Sequence, residues 1–224
     1  MKADDCQPAL DLGFARRRAL GRSDFVQTRA NAEAVALIGQ WRRWPGGRLA
    51  LCGPEGAGKT HLAHVFAAES GAAVVAAAAL AEADAPGLVA GGAAAVEDVD
   101  RMERGTETAL LHLMNLAAAE GCALLLTGRA PPARWPVALA DLRSRLQALT
   151  PARLMPPDDA LLAAVLAKAL QDRALRFEPA LPAYVAARIE RSFAAAEAAV
   201  AALDAASLAR RRPITRRLAA EVLG

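Results

Sequence analysis

Short apolar runs alternate with helical patterns through the first two thirds of the chain. The runs RLALC (48–52), AAVVAA (72–77), AAAV (93–96) and CALLLT (122–127) predict buried strands. Residues 60–70 and 107–121 carry apolar side chains at helical spacing, and Gly71 and Gly121 predict where these helices end. Strands that are apolar on both faces and separated by helices predict an α/β fold, with a parallel sheet covered on two sides.

From residue 157 onward the pattern is helical, and no strand is predicted. Four helical stretches follow one another, and they are DDALLAAVLAKALQDRAL, PALPAYVAARIE, FAAAEAAVAALDAASLARR and ITRRLAAEVL. Asp158 or Asp159 is the predicted N-cap of the first. We therefore expect an N-terminal tail at 1–22, an α/β domain at 23–156 and a small all-helical domain at 157–224.

Residues 53–60, GPEGAGKT, match the pattern G-x-x-x-x-G-K-[ST] between a predicted strand and a predicted helix. Glycines let backbone N–H groups point at phosphate oxygens, the lysine reaches the β- and γ-phosphates, and the threonine hydroxyl offers a ligand to Mg²⁺. The alternative is an ordinary glycine-rich turn. The predicted nucleotide-binding residues at this phosphate-binding loop (P-loop) are Gly53, Gly56, Gly58, Lys59, Thr60 and His61.

Two acidic residues, Glu97 and Asp98, follow the predicted strand at 93–96. A P-loop protein needs a carboxylate at the end of a neighbouring strand to hold the metal and to orient the attacking water. We assign Glu97 to the metal and Asp98 to catalysis, with a solvated acidic loop as the alternative. Asp100 is predicted to cap a helix.

The composition excludes few classes of function. The 27 basic and 24 acidic residues give a net charge of +3, which neither requires nor excludes nucleic acid. The three cysteines are far apart, without metal-ligand spacing, which suits a reducing cytosol. The N-terminus lacks an apolar signal region, and no uncharged stretch is long enough to cross a membrane, so a cytoplasmic protein is expected.

The motifs together resemble a known family. LCGPEGAGKTHLAH, FVQTRANAEA, LLLTGRAPP, DLRSRL and PPDDALLAAVLAKAL occur in the order found in the DnaA family of AAA+ P-loop proteins, and most resemble its shorter Hda-type regulators. The resemblance implies an AAA+ base with a helical lid, ADP or ATP as ligand, Mg²⁺, and DnaA itself as partner. Because the chain stops directly after the last predicted helix, we expect no DNA-binding domain and only indirect contact with DNA.

Hda-type proteins begin with a peptide that docks on the replicative sliding clamp, the β subunit of DNA polymerase. QPALDL at 7–12 is similar to that peptide. Leu10 and Leu12 would fill apolar pockets, and the Gln7 amide would set the register. Without the resemblance, this stretch would be interpreted as a disordered tail or as a fragment of a first strand.

The resemblance also implies roles for three further residues. Arg145, the second arginine of DLRSRL, matches an arginine finger that acts on the nucleotide of a neighbouring subunit. Asn31 lies in a segment similar to the one that contacts adenine, and Arg191 is the candidate sensor arginine of the lid, although an ungapped alignment places Ala194 there. The sequence leaves open whether copies of this chain form a homo-oligomer.

Two departures from the family pattern concern hydrolysis. Glu97 and Arg129 stand where relatives commonly have aspartate, so we expect weak intrinsic ATP turnover at most. Two functions remain. One is a regulatory adaptor that docks on the clamp and stimulates hydrolysis of DnaA-bound ATP, which limits initiation of replication. The other is an autonomous P-loop enzyme, either a helicase-loader-type ATPase or a small-molecule kinase.

Overall fold

The computed structural model describes residues 31–210 and 212–224. Its strands are β1 (Arg48–Cys52), β2 (Ala73–Ala76), β3 (Ala93–Glu97), β4 (Ala123–Gly128) and β5 (Pro151–Arg153). Its α-helices are α1 (Ala32–Gly39), α2 (Lys59–Ser70), α3 (Ala85–Val89), α4 (Glu107–Ala119), α5 (Ala140–Gln147), α6 (Asp159–Asp172), α7 (Leu181–Ala186), α8 (Phe193–Arg210) and α9 (Arg216–Leu223). Within the described ranges, no helix combines the length and apolar character needed to cross a membrane. The predicted clamp-binding residues Gln7, Leu10 and Leu12 lie outside the described residues.

The five strands form one parallel sheet in the order β2-β3-β4-β1-β5. The four strands predicted from apolar runs are confirmed, with shifts of one residue at some ends. Strand β5 was missed because it has only three residues and starts at Pro151, a residue that cannot donate a ladder hydrogen bond. It pairs at the edge of the sheet beside β1, where a proline is tolerated.

Alternate residues of each central strand enter cores on opposite faces of the sheet. One core joins Leu49, Leu51 and Leu125 to Ile38 of α1 and Phe66 of α2. The other core packs the intervening strand residues against α3, α4 and α5. This two-sided burial explains why the strands read as continuous apolar runs.

Helices α6 to α9 share a separate hydrophobic cluster, centred on Leu166, Val200 and Ile214. The Asp158 side chain accepts the Leu161 N–H at 2.7 Å, which confirms one of the two predicted N-caps of α6. We call residues 157–224 the lid and the preceding part of the structure the base.

Candidate nucleotide-binding site

The P-loop joins the carboxyl end of β1 to the first turn of α2. Gly56 and Gly58 have φ angles of +72° and +95°, in the left-handed region that favours glycine. Gly58 directly precedes α2, a twelve-residue helix without a side-chain cap, so the first backbone N–H groups of α2 have no acceptor within the helix and can bind an anion. The geometry therefore provides phosphate with both N–H donors and the positive end of a helix dipole.

Lys59 is only 9% exposed although it carries a charge. Its Nζ donates to the carbonyl oxygens of Gly53 at 2.8 Å and Pro54 at 3.0 Å, at the start of the loop. Burial lowers the pKa of this ammonium group, and the nearby Asp98 carboxylate opposes that effect. A phosphate would offer the ammonium group a charged acceptor in place of neutral carbonyl oxygens, which strengthens the hydrogen bond.

The acidic residues lie at the end of β3, beside the end of β4. Asp98 adopts a left-handed conformation, with φ +56°, and its N–H donates to Thr127 Oγ1 at 3.1 Å. Thr127, the second-last residue of β4, is almost completely buried, with 1% of its surface exposed. Sequence reasoning missed Thr127, although a lone hydroxyl after three leucines is the signal that could have drawn attention to it.

A divalent cation fits this arrangement. Glu97 Oε1 is buried and has no hydrogen-bond partner among the described residues, while Thr60 is exposed on the first turn of α2. The described part of the chain contains no cluster of three or more metal-ligating side chains. A Mg²⁺ ion held by Glu97 and Thr60 would thus need phosphate oxygens and water to complete its shell, as nucleotide-bound Mg²⁺ usually does.

Asp100 does not cap a helix, so that prediction was wrong. Its Oδ2 accepts the backbone N–H of Arg129 at 3.0 Å, while the 3-10 turn at Val99–Arg101 has no side-chain cap. The cause is the pairing of β3 with β4, which brings the segments after the two strands together. Oδ1 of Asp100 is buried without a hydrogen-bond partner among the described residues.

The lid contacts the P-loop directly at the start of α8. The Phe193 N–H donates to the Gly56 carbonyl oxygen at 3.2 Å. A Cβ atom on Gly56 would stand 2.5 Å from Cβ of Ser192, and one on Gly58 would stand 3.0 Å from Cε2 of Phe193. The loop glycines therefore also provide room for the lid, a requirement that the motif alone did not reveal.

No protein-family model matches the chain, and no curated protein matches it. Among solved structures, it is similar to domain III of the replication initiation protein DnaA from Thermotoga maritima, with 19% identity, a TM-score of 0.76, and coverage of 91% of this chain and 95% of that chain. It is also similar to AMPPCP-bound DnaA from Aquifex aeolicus, with 17% identity, a TM-score of 0.65, and coverage of 81% and 64%. A third similar structure is the Thermotoga maritima RuvB Holliday junction branch migration motor, with 16% identity, a TM-score of 0.69, and coverage of 92% and 72%.

The chain has the fold of the AAA+ ATPase domains. This confirms the predicted fold class, including the parallel sheet between helices. At these identities the likeness concerns the fold, so the roles of individual residues depend on the geometry of the site in this chain.

Two arginines assigned from the resemblance are held by acidic neighbours. On α5, Arg145 pairs with Asp141 at 3.1 Å, one helical turn away. In the lid, Arg191 pairs with Asp159 at 3.0 Å and directly precedes Ser192, which packs on the P-loop. Both pairs are solvent-accessible, and such pairs contribute little to stability.

The remaining predicted residues, Asn31 and His61, belong to the base. Asn31 is 4% exposed and its carbonyl oxygen accepts the Val35 N–H at the start of α1. His61 is half-buried in the first turn of α2, directly after Thr60. Their assignment to nucleotide binding stays a prediction.

Proposed function

We propose that this protein binds ADP or ATP with Mg²⁺ at the P-loop. The observation that carries the proposal is Lys59, a buried ammonium group held at the base of a left-handed glycine loop by neutral carbonyl oxygens. A buried cation beside the uncapped N-terminus of a helix is suited to bind a polyphosphate. Glu97 and Thr60 are the proposed ligands of a cation on that polyphosphate. The similarity of the fold to that of AMPPCP-bound DnaA supports nucleotide binding.

We further propose that the protein is an adaptor which stimulates hydrolysis of DnaA-bound ATP and thereby limits initiation of replication. Its similarity to DnaA domain III over 91% of the chain supports this role, because AAA+ domains of like shape can stack with an arginine of one at the nucleotide of the next. Arg145 is the arginine proposed to act there. The QPALDL segment would bring the protein to the sliding clamp, and with it to DNA.

The test measures hydrolysis of ATP already bound to DnaA after this protein is added, with and without clamp loaded on DNA. We expect stimulation that depends on the loaded clamp. An unchanged hydrolysis rate in both mixtures would contradict the adaptor role, whereas nucleotide binding by the isolated protein would be judged separately.

Arg145→Ala is the decisive variant, and Arg143→Ala is its matched control on the same helix. An arginine supplied to a partner's active site contributes about 10³ to 10⁵ in rate, so Arg145→Ala should abolish stimulation. The Arg145–Asp141 pair is exposed and one turn apart, so its loss should cost roughly 0.5 kcal/mol of stability or less. Equal stimulation by both variants would remove Arg145 from the proposal.

A second candidate is an autonomous ATPase, and the similarity to the RuvB motor favours it. This alternative requires substantial ATP turnover by the isolated protein. We expect slow turnover, because Glu97 and Arg129 replace the aspartates common in DnaA relatives. Brisk turnover that falls in Arg145→Ala without DnaA present would favour the autonomous enzyme.

A further inference from the structure

The last part of the lid carries a group of arginines that the proposed nucleotide site does not use. Residues 210–217 read RRRPITRR, with five arginines and no acidic residue. Arg210 ends α8, and Arg216 and Arg217 begin α9. Together with Arg188, which follows α7, these three exposed side chains form a surface that we call the arginine face.

Two glutamates join the arginines of α8 and α9 into one network. Glu221 accepts from Arg210 and, at 3.3 Å, from Nε of Arg217. Oε2 of Glu178 accepts the backbone N–H of Arg216 and its Nε, both at 3.3 Å. With Arg188 included, four guanidinium groups face two carboxylates, so the arginine face keeps an excess of two positive charges.

An open cavity connects the members of the arginine face. Its volume is about 400 Å³, and it is lined by Glu178, Tyr184, Arg216, Arg217 and Ala220. The guanidinium carbon of Arg188 lies 3.6 Å from the centre of the Tyr184 ring, which places this cation beside the cavity. The ion pairs of Arg216 and Arg217 use Nε, and no described residue accepts from their Nη atoms. Those donors are therefore available to an anion.

The position of Arg216 and Arg217 is unfavourable for α9 itself. They are the first two residues of the helix, and its first turn contains no acidic residue. The positive end of a helix dipole favours acidic side chains and repels cations. An anion bound between the two guanidinium groups would offset this repulsion.

The backbone that carries these arginines is fixed before any ligand binds. The Ile214 N–H donates to the Arg176 carbonyl oxygen at 2.8 Å, and the Ile214 carbonyl oxygen accepts the Glu178 N–H at 3.1 Å. The Ile214 side chain is fully buried in the core of the lid. Binding would therefore order only the outer ends of the arginine side chains, which keeps its entropy cost low.

We propose that the arginine face binds the phosphate backbone of duplex DNA without reading its sequence. Its positive charge is spread over the ends of three helices, and such a surface matches a repeating polyanion better than a single small anion. Guanidinium groups suit phosphate because two of their N–H groups can bind it at once.

This contact goes beyond the proposed function, in which the protein reaches DNA only through the clamp. It rests on that function for the choice of DNA among polyanions, since docking on a loaded clamp would bring the lid to a duplex. Direct contact also differs from the indirect contact that the family resemblance implies.

Fluorescence anisotropy of a labelled duplex of arbitrary sequence tests the proposal with the isolated protein. Contacts from all four arginines predict that the affinity falls about 100-fold between about 50 and 200 mM salt, because each contact releases counterions from DNA. Replacing Arg216 and Arg217 together by alanine should weaken binding about tenfold or more at about 50 mM salt. The affinity of this lid variant should fall only about tenfold over the same range, since two contacts remain.

Replacing Arg42 and Arg43 together by alanine is the matched control, because these two consecutive exposed arginines of the base give the same change in charge. The control should bind DNA like the unaltered protein, and thermal melting should show that both variants are folded. Absence of binding by the unaltered protein at about 50 mM salt would overturn the proposal, as would equal affinities of the lid variant and the control.

Polyglutamate serves as a competitor at the same concentration of charge as unlabelled duplex. It should displace the labelled duplex much less effectively than unlabelled DNA does. Equal displacement would overturn the proposal in favour of an acidic protein surface as the ligand. Since the assay contains neither DnaA nor clamp, its failure can be told apart from failure of the adaptor role.

Discussion

Lys59 and Asp98 are residues whose surroundings set their chemistry. Lys59 is buried, and its donors are directed at the carbonyl oxygens of Gly53 and Pro54. Asp98 is held in a left-handed conformation with its N–H bound to Thr127. Strained backbone and buried charge of this kind cost stability, and they occur where a protein orients groups toward a ligand.

Lys59→Ala should weaken ADP binding by about 10- to 100-fold, because charge-assisted hydrogen bonds to phosphate are lost. The fold should persist, since removing a buried ammonium group also removes its desolvation cost. Equilibrium binding of labelled ADP, with circular dichroism on the same samples, provides the measurement. An unchanged ADP affinity would mean that the loop is only a turn.

Cys52, the last residue of β1, is a second residue whose pKa is shifted by burial. Desolvation raises the pKa of its thiol from 9.0 to about 11. In the unfolded chain the thiol ionises near pH 9, whereas in the folded protein it keeps its proton until higher pH. The contribution of Cys52 to stability is therefore complete below pH 9 and is lost as the pH rises from 9 to about 11.

Denaturant unfolding at about pH 8 and about pH 10.5 should reveal this loss as roughly 2 kcal/mol of extra destabilisation of the unaltered protein relative to Cys52→Ala. The comparison with Cys52→Ala cancels the titration of all other groups, including the buried Cys122 thiol. Equal pH dependence of the two proteins would contradict the assignment.

At the scale of elements, a helix cap depends on residues close together in the sequence, whereas strand pairing depends on residues far apart. Asp158 caps α6 through a contact only three residues away, which is why the sequence pattern could predict it. The strands β3 and β4 pair over a much longer separation, and their pairing is what places Asp100 against Arg129. Local caps stabilise an element, whereas pairing decides which side chains meet.

Asp158→Ala should destabilise the protein by about 1 kcal/mol and lower the melting temperature by about 2 to 4 °C, because a first-turn N–H of α6 loses its acceptor. Asp159→Ala is the neighbouring control. It breaks only the exposed pair with Arg191 and should cost less than about 0.5 kcal/mol. Calorimetric melting of both variants provides the comparison, and equal costs would contradict the assigned cap.

At the scale of the whole molecule, the base and lid meet at the P-loop. Ser192 and Phe193 rest on Gly56 and Gly58, so a ligand at the loop would lie next to the junction. The proposed clamp peptide, residues 7–12, precedes the P-loop at 53–60 in the sequence and shares no residue with it. Clamp docking and nucleotide binding should therefore be separable by mutation.

Replacing Leu10 and Leu12 together by alanine should abolish clamp binding, because about 2 to 4 kcal/mol of apolar burial is lost. ADP binding should remain at its original strength. A pull-down on immobilised clamp, with ADP titration as the control, provides the measurement. Retained clamp binding by the double variant would exclude QPALDL as the docking peptide.

Some features of this protein could be predicted from sequence alone, because they depend on residues close together in the chain. The order of strand, glycine loop and helix around the P-loop, the end of α4 shortly before Gly121 and the Asp158 cap are of this kind. Apolar runs were sufficient to predict four of the five strands, since burial on both faces leaves a continuous hydrophobic pattern.

Other features were decided by tertiary structure. Three contacts join residues that lie from 29 to more than 100 positions apart in the sequence. They are the hydrogen bond between Asp98 and Thr127, the ion pair between Glu55 and Arg129, and the packing of Ser192 on Gly56. No local periodicity encodes such pairs. They exist because the sheet order places the ends of β3, β4 and β1 side by side, and because the lid folds back onto the loop that follows β1.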